Sequence, residues 1–274
     1  MSALDWLEIR RGSAPLIVTL PHTGTEIPDP ILKRLTSPWL GRRDTDWWID
    51  QLYDFAEDLD ATVIRTRVSR TVIDVNRDPS GVSLYPGQAT TELCPTTSFD
   101  GEPLYRDGEA PDAAEIERRQ AQWFAPFHQA LHDEVERLRG LHPAIVVYDC
   151  HSIRSRIPRL FDGDLPVFNL GTNFGATCAP ELSGRIEAIL AASGQSHVVN
   201  GRFRGGQIVR STGNPTHAVH AVQMELACRS YIREPAEVDA SNWPTPYDPE
   251  FAAPTRRTLR QVLEACRDFA TSLA

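Results

Sequence analysis

Ala144-Ile145-Val146-Val147-Tyr148-Asp149-Cys150-His151-Ser152 is an apolar run that ends in polar, chemistry-bearing residues. Five consecutive apolar positions read as a core strand buried on both faces, because a half-exposed strand would alternate. The polar tail then falls at the carboxyl end, where open α/β sheets generally place their sites. A second run, Pro15-Leu16-Ile17-Val18-Thr19-Leu20, has the same character and is ended by Pro21, with His22 just beyond it. Two core strands thus each deliver a histidine to the same kind of position.

Working outward, Asp44 and Thr45 precede the apolar positions Trp48, Ile49, Leu52, Phe55, Ala56 and Leu59. Their three- and four-residue spacing predicts a helix with Asp46 in its first turn. The β-branched runs Thr62-Val63-Ile64 and Thr71-Val72-Ile73-Asp74-Val75 predict two strands, the second emptying into the turn-rich Asn76-Arg77-Asp78-Pro79-Ser80-Gly81. Between Gly81 and Pro111 no periodicity is visible, and a loop of that length more often walls or covers a site than lies inert. From Asp112 to Arg139 the pattern is helical, capped by Asp112 with Glu115 and kinked or restarted at Pro126.

A helix from about Pro180 to Ala192, a short strand around His197 to Val199 and a Gly-rich loop from Asn200 to Gly206 follow. The strand Val219 to Leu226 and a final amphipathic helix from about Thr255 to Leu273 complete the pattern. Strands alternating with helices, without an internal repeat, predict one domain over residues 1–274. The fold class expected is a three-layer α/β/α sandwich around a mostly parallel or mixed sheet.

Composition narrows the function. Hydrophobic residues make up 41% and charged residues 24% of the 274, an ordinary globular balance with no apolar stretch long enough to span a bilayer. The formal net charge of −9 opposes a nucleic-acid partner, because neutralising phosphates needs a basic surface. Met1 to Trp6 has neither a basic start nor an apolar run, so the expected location is cytoplasmic. The five cysteines form no C-x-x-C pair, which argues against a disulfide framework or a thiolate zinc site. Only Lys33 among the 28 basic residues is lysine, and the arginines gather around 65–77, 154–159 and 202–210. Guanidinium forks suit carboxylates, although arginine-favouring base composition explains any single one equally well.

Two histidines with one carboxylate form a common catalytic zinc set that leaves a position open for water. His22 and His151 supply the imidazoles, and either Asp46 or Asp44 the oxygen. A loop-stabilising hydrogen bond is the plain alternative for each histidine, and no H-E-x-x-H helix is present. Asp149 and Ser152 flank His151 and can orient its ring.

Several segments, taken in order, resemble the N-formylglutamate amidohydrolase family. They are Pro21-His22-Thr23-Gly24-Thr25-Glu26-Ile27-Pro28, Asp44-Thr45-Asp46-Trp47, Ser69 to Arg77, Ser83-Leu84-Tyr85-Pro86-Gly87-Gln88, His151-Ser152-Ile153-Arg154-Ser155, Asn200 to Gly206, and Val222 to Leu226. The resemblance implies a zinc-carboxypeptidase-like fold and hydrolysis of N-formyl-L-glutamate, in histidine degradation, to formate and L-glutamate. It implies one Zn2+ ion, or another divalent metal, on His22, Asp46 and His151, with Glu225 as general base. It further implies catalytic or carboxylate-binding work for Arg70, Asn76 and Arg77, and a side-chain clamp from Arg202, Arg204 or Arg210. The partner expected is a small acidic N-acyl amino acid, with no nucleic acid and no membrane. Relatives place His-Tyr-Gly after the equivalent of Arg210 where this chain reads Ser211-Thr212-Gly213, which keeps hydrolysis of another N-acyl amino acid open. Two readings from other classes are a cysteine-nucleophile hydrolase using Cys150 and a non-catalytic small-acid binding protein. Strand parity turns Cys150 away from whichever face His151 serves.

Overall fold

The computed structural model describes residues 5–273. Seven strands form one sheet: β1 (Leu7–Arg10), β2 (Leu16–Leu20), β3 (Thr62–Thr66), β4 (Ile145–Ile153), β5 (Phe168–Gly171), β6 (His197–Val199) and β7 (Val219–Ala227). Their spatial order is β1-β3-β2-β4-β7-β5-β6. The central strands β3, β2, β4 and β7 are mutually parallel, whereas β1 and β5 run antiparallel to their inner neighbours, so the sheet is mixed. Every residue of β2, β4 and β7 is buried, including the polar His220, Gln223 and Glu225 of β7.

Among the described residues, eight α-helices accompany the sheet. The first three are short: α1 (Asp29–Leu32), α2 (Leu40–Arg43) and α3 (Ile49–Leu52). Then come α4 (Ala113–Arg119), α5 (Ala125–Arg139), α6 (Pro180–Ala192), α7 (Gln207–Thr212) and α8 (Pro249–Ser272). On one face Val18, Val146, Tyr148, Cys150, Val222 and Met224 pack with Leu182 and Ile186 of α6 and Leu259, Val262 and Leu263 of α8. On the other, Ile17, Ile145, Val147 and Ala221 pack with Phe127, Leu131 and Leu138 of α5 and Ile208 and Val209 of α7. Helices on both faces make three layers, as expected, and among the described residues no helix is long and apolar enough to cross a membrane.

Three expectations change. The helix foreseen after Asp44 is broken: Trp48 adopts φ 61°, only Ile49–Leu52 is α-helical, and a 3-10 turn Asp54–Ala56 follows. The apolar spacing reported burial of Ile49, Leu52 and Phe55, and burial does not require a continuous helix. Residues 71–75 form turns rather than a strand, with Val72 N–H donating to Ser69 O and Arg77 N–H to Asp74 O. Val72, Ile73 and Val75 are nevertheless core residues. The last helix begins at Pro249, where Asp248 accepts from Glu250 N–H and Phe251 N–H, with Pro254 inside its second turn. Residues 112–139 behave as read: Asp112 accepts from Glu115 N–H, and α4 passes through a π segment, Gln120–Phe124, before Pro126 opens α5. The stretch 81–111 contains no named strand or helix.

Candidate metal centre and active site

Strand register assembles the site. In the parallel pair β4–β7, Asp149 lies opposite Gln223 and His151 opposite Glu225. Successive side chains alternate, so these four face the α5 layer while Cys150 and Met224 face the α8 layer. β2 lies on the other side of β4 and ends just before His22. Asp46 is brought up by its backbone, whose N–H donates to His22 O at 3.0 Å, so it sits in a turn and not in a helix.

His22 Nδ1, His151 Nδ1 and Asp46 Oδ2 converge. The two nitrogens are 3.1 Å apart, His151 Nδ1 is 3.2 Å from the carboxylate oxygen, and His22 Nδ1 is 3.7 Å from it. Ligands about 2.0–2.2 Å from a tetrahedral zinc stand roughly 3.2–3.6 Å apart, so the triangle has the size such an ion needs. The remote nitrogens face carboxylates: His22 Nε2 donates to Asp74 Oδ1 and His151 Nε2 to Asp149 Oδ2, both at 2.7 Å, which turns the two Nδ1 atoms toward one another. When both imidazoles are neutral, their Nδ1 lone pairs and the carboxylate oxygen surround a position that suits a cation. The three residues are buried and could hold a metal ion.

The surrounding charges are matched to this arrangement. Arg70 is buried beside the ligands and also lines the cleft, donating to Asp46 Oδ1 at 3.3 Å and Asp74 Oδ2 at 2.7 Å, with its guanidinium 4.8 Å from the Phe99 ring. Burial works against the Asp46 carboxylate, but the hydrogen bond from His151, the neighbouring His22 imidazole and the Arg70 charge outweigh it and hold Asp46 well below the usual carboxylate range. Asp74 is also held low, the charges of His22, Arg77 and Arg70 exceeding its desolvation. Burial lowers the basicity of His151, yet Asp149 and Asp46 raise it further and leave it well above an ordinary histidine.

Glu225 differs from these carboxylates. Among the described residues no hydrogen bond reaches its carboxylate, and burial pushes its pKa to about 8, with Asp46 adding to the rise and His151 and Arg70 opposing it. A carboxyl group raised in this way, beside a candidate metal centre, exchanges its proton close to neutral pH, the range that suits a general acid–base.

These groups open into a cleft lined also by Asn76, Arg77, Tyr85, Phe99, Arg202 and Gln223. Arg77 donates to Thr91 O and Thr91 Oγ1, and Arg202 to Leu160 O and Ala89 O. Arg202 therefore faces the cleft with neutral partners only, and Arg77 has a carboxylate, Asp74, no nearer than 3.7 Å. Arg210 is not part of the lining: it donates to Gly205 O and lies 5.6 Å from the Tyr85 ring. Arg204 is also outside, 5.0 Å from the Phe174 ring. Asn76 lines the cleft, but its amide is engaged with protein groups at both ends.

Asp44 is not in the ligand cluster. Its Oδ2 accepts from Phe99 N–H at 2.7 Å, anchoring the segment that presents Phe99 to Arg70, and burial raises its pKa. Cys150 is fully buried on the opposite face, and desolvation pushes its thiol far above the range of a nucleophile. Ser211 and Thr212, which stand where relatives have His-Tyr, line a separate cleft with His128 and His132. Sequence reading missed Asp74 and Phe99. Asp74 carried a usable signal, a carboxylate inside a β-branched run where an unpaired charge would be costly. Phe99 carried none.

A family model described as N-formylglutamate amidohydrolase matches residues 14–232. The chain is 45% identical over 260 residues to the N-formylglutamate deformylase of Pseudomonas aeruginosa, spanning 94% of this chain and 95% of that one. It is also 45% identical over 260 residues to the N-formylglutamate deformylase of Pseudomonas putida, spanning 94% of each. Among solved structures, an N-formylglutamate amidohydrolase from Ralstonia eutropha superposes with a TM-score of 0.79 at 21% identity, covering 98% of this chain and 99% of that one. A gene product of Agrobacterium tumefaciens has a TM-score of 0.67 at 16% identity, with 96% of each chain covered. This chain belongs to the N-formylglutamate amidohydrolase family.

Proposed function

We propose that this protein is an N-formylglutamate deformylase that hydrolyses N-formyl-L-glutamate to formate and L-glutamate, with one zinc ion on His22, Asp46 and His151. One observation carries the reading: three ligand atoms converge beside the unbonded Glu225 in a cleft whose uncompensated charges are arginines. The 45% identity to two N-formylglutamate deformylases over nearly the whole chain supports the choice of substrate.

When bound, a zinc ion supplies a Lewis acid that polarises the formyl carbonyl and lowers the pKa of water. Glu225 accepts the proton of the attacking water and returns it to the amine nitrogen as the C–N bond breaks. Arg70, fixed between Asp46 and Asp74, turns its charge toward the oxygen that becomes negative. Arg77, close to Asp74 and hence to His22, binds the α-carboxylate, which lies two bonds from the reacting nitrogen. Arg202, anchored on Leu160 and Ala89, binds the more distant side-chain carboxylate.

Chelation abolishes formate release and added zinc restores it, while Cys150→Ala stays active. Glu225→Gln keeps its zinc and loses about 10²–10⁴-fold in kcat. Activity that survives metal removal and disappears in Cys150→Ala would contradict this mechanism.

The raised Glu225 also predicts a pH dependence of stability in the metal-free protein. Its folded pKa of about 8 lies above the ordinary value of 4.5, so the favourable term belongs to the protonated form. That term is fully present below pH 4.5 and is lost as pH rises through about 8. Glu225→Gln therefore gains thermal stability over the parent as pH increases from 5 to 9, and an unchanged difference across that range would contradict the assignment.

For Arg202, the informative quantity is the ratio of kcat/KM for N-formylglutamate over N-formylglutamine. Arg202→Ala collapses this ratio toward one, mainly through KM for the dianionic substrate, whereas Arg210→Ala leaves it near the parent value. The reverse ranking would move the clamp to Arg210.

A further inference from the structure

Asn76 lies in the cleft wall beside Arg77, a place from which a side-chain amide could meet a substrate carboxylate, yet its hydrogen bonds point elsewhere. Its Nδ2 donates to Asp149 Oδ2 at 3.1 Å and to Gln223 Oε1 at 3.4 Å, and lies 2.9 Å from His151 Nε2. Its Oδ1 accepts from Ile208 N–H at 2.8 Å in the first turn of α7, and its backbone carbonyl accepts from Gln207 N–H at 3.1 Å. Gln223 Oε1 in turn accepts from Gly206 N–H at 2.8 Å, at the end of the loop that bears Arg202. A Cβ on Gly206 would meet the Asn76 amide at 2.5 Å, so the loop closes directly onto this side chain.

We infer that Asn76 is a positioning residue which, with Gln223, couples the orientation of the metal ligand His151 to the placement of the substrate-clamp loop, and does not itself bind substrate. Asp149 accepts from Thr19 Oγ1 at 2.7 Å, from His151 Nε2 at 2.7 Å and from Asn76. The Thr19 hydroxyl and the Asn76 amide thus each hold one oxygen of the carboxylate. With Asn76 removed, Asp149 can rotate, and the Nδ1 lone pair of His151 is no longer aimed at the point shared by His22 and Asp46. The same loss frees Ile208 N–H and loosens the join between α7 and β4. Partners of metal-binding histidines of this kind typically change metal affinity about 10–100-fold when removed.

The inference rests on the metal reading proposed above. The decisive quantity, zinc affinity in competition with a chromophoric chelator, is measured without substrate, so a mistaken substrate leaves the test intact. For folded Asn76→Ala, the zinc Kd is expected to rise at least about tenfold, and KM for N-formylglutamate to rise with it. Gly206→Ala, which displaces the Asn76 amide from outside, is expected to weaken zinc in the same direction. Should Asn76→Ala fail to fold by circular dichroism, Asn76→Ser takes its place with the same two readouts. A parental zinc Kd with a raised KM would overturn the inference and make Asn76 a substrate ligand. A lower melting temperature with parental zinc Kd and KM would overturn it in favour of a purely structural role.

Discussion

Two buried carboxylates, Asp74 and Asp149, each accept a hydrogen bond from the Nε2–H of a histidine at 2.7 Å and thereby aim two imidazole Nδ1 atoms at one point. Without those bonds each imidazole has two tautomers and a free ring rotation, and the convergence of three ligand atoms would be one arrangement among many. Asp46 completes the point, held by Arg70 on one oxygen and by Ser152 N–H at 3.1 Å on the other. Arg70 also binds Asp74, so one guanidinium fixes a candidate ligand and the carboxylate behind another. The cluster of charges is buried, but each member has an opposite or hydrogen-bonding partner, which is the condition for keeping such groups out of water.

The sheet makes this network possible. Parallel strands β2, β4 and β7 end side by side, and their register puts His151 next to Glu225 and Asp149 next to Gln223 without any help from loops. Loops then add what strands cannot supply: Asp46, Arg70, Asp74, Asn76 and Arg77 all come from segments that bend repeatedly. Precision resides in the strands, and the choice of charge around the cleft resides in the bends.

This division explains what could be read from the sequence. His22 and His151 were legible because a continuous apolar run followed by a polar residue marks a strand end, and Cys150 could be turned away by parity alone. The choice between Asp46 and Asp44 was not legible, since both occupy one short segment and the outcome depends on a backbone bond from Asp46 to His22 O. Residues 71–75 show the limit of periodicity most clearly. Their β-branched side chains are buried as expected, yet the backbone turns, bringing Arg70, Asp74 and Asn76 alongside His22, Asp46 and His151. The strands β1 and β5, each four residues long, owe their extension to pairing with distant neighbours and left no local pattern of their own. The role of Asn76 is likewise a tertiary fact, set by what Asp149, Gln223 and α7 bring to it.

The central claim is that these side chains are prearranged for one cation, and diffraction at the zinc absorption edge addresses it most directly. Crystals of the protein grown with zinc should show one anomalous peak about 2.0–2.2 Å from His22 Nδ1, His151 Nδ1 and Asp46 Oδ2, with both Nε2 atoms still on Asp74 and Asp149. A peak bound through Nε2, a peak on Asp44, or no peak among these residues would contradict it.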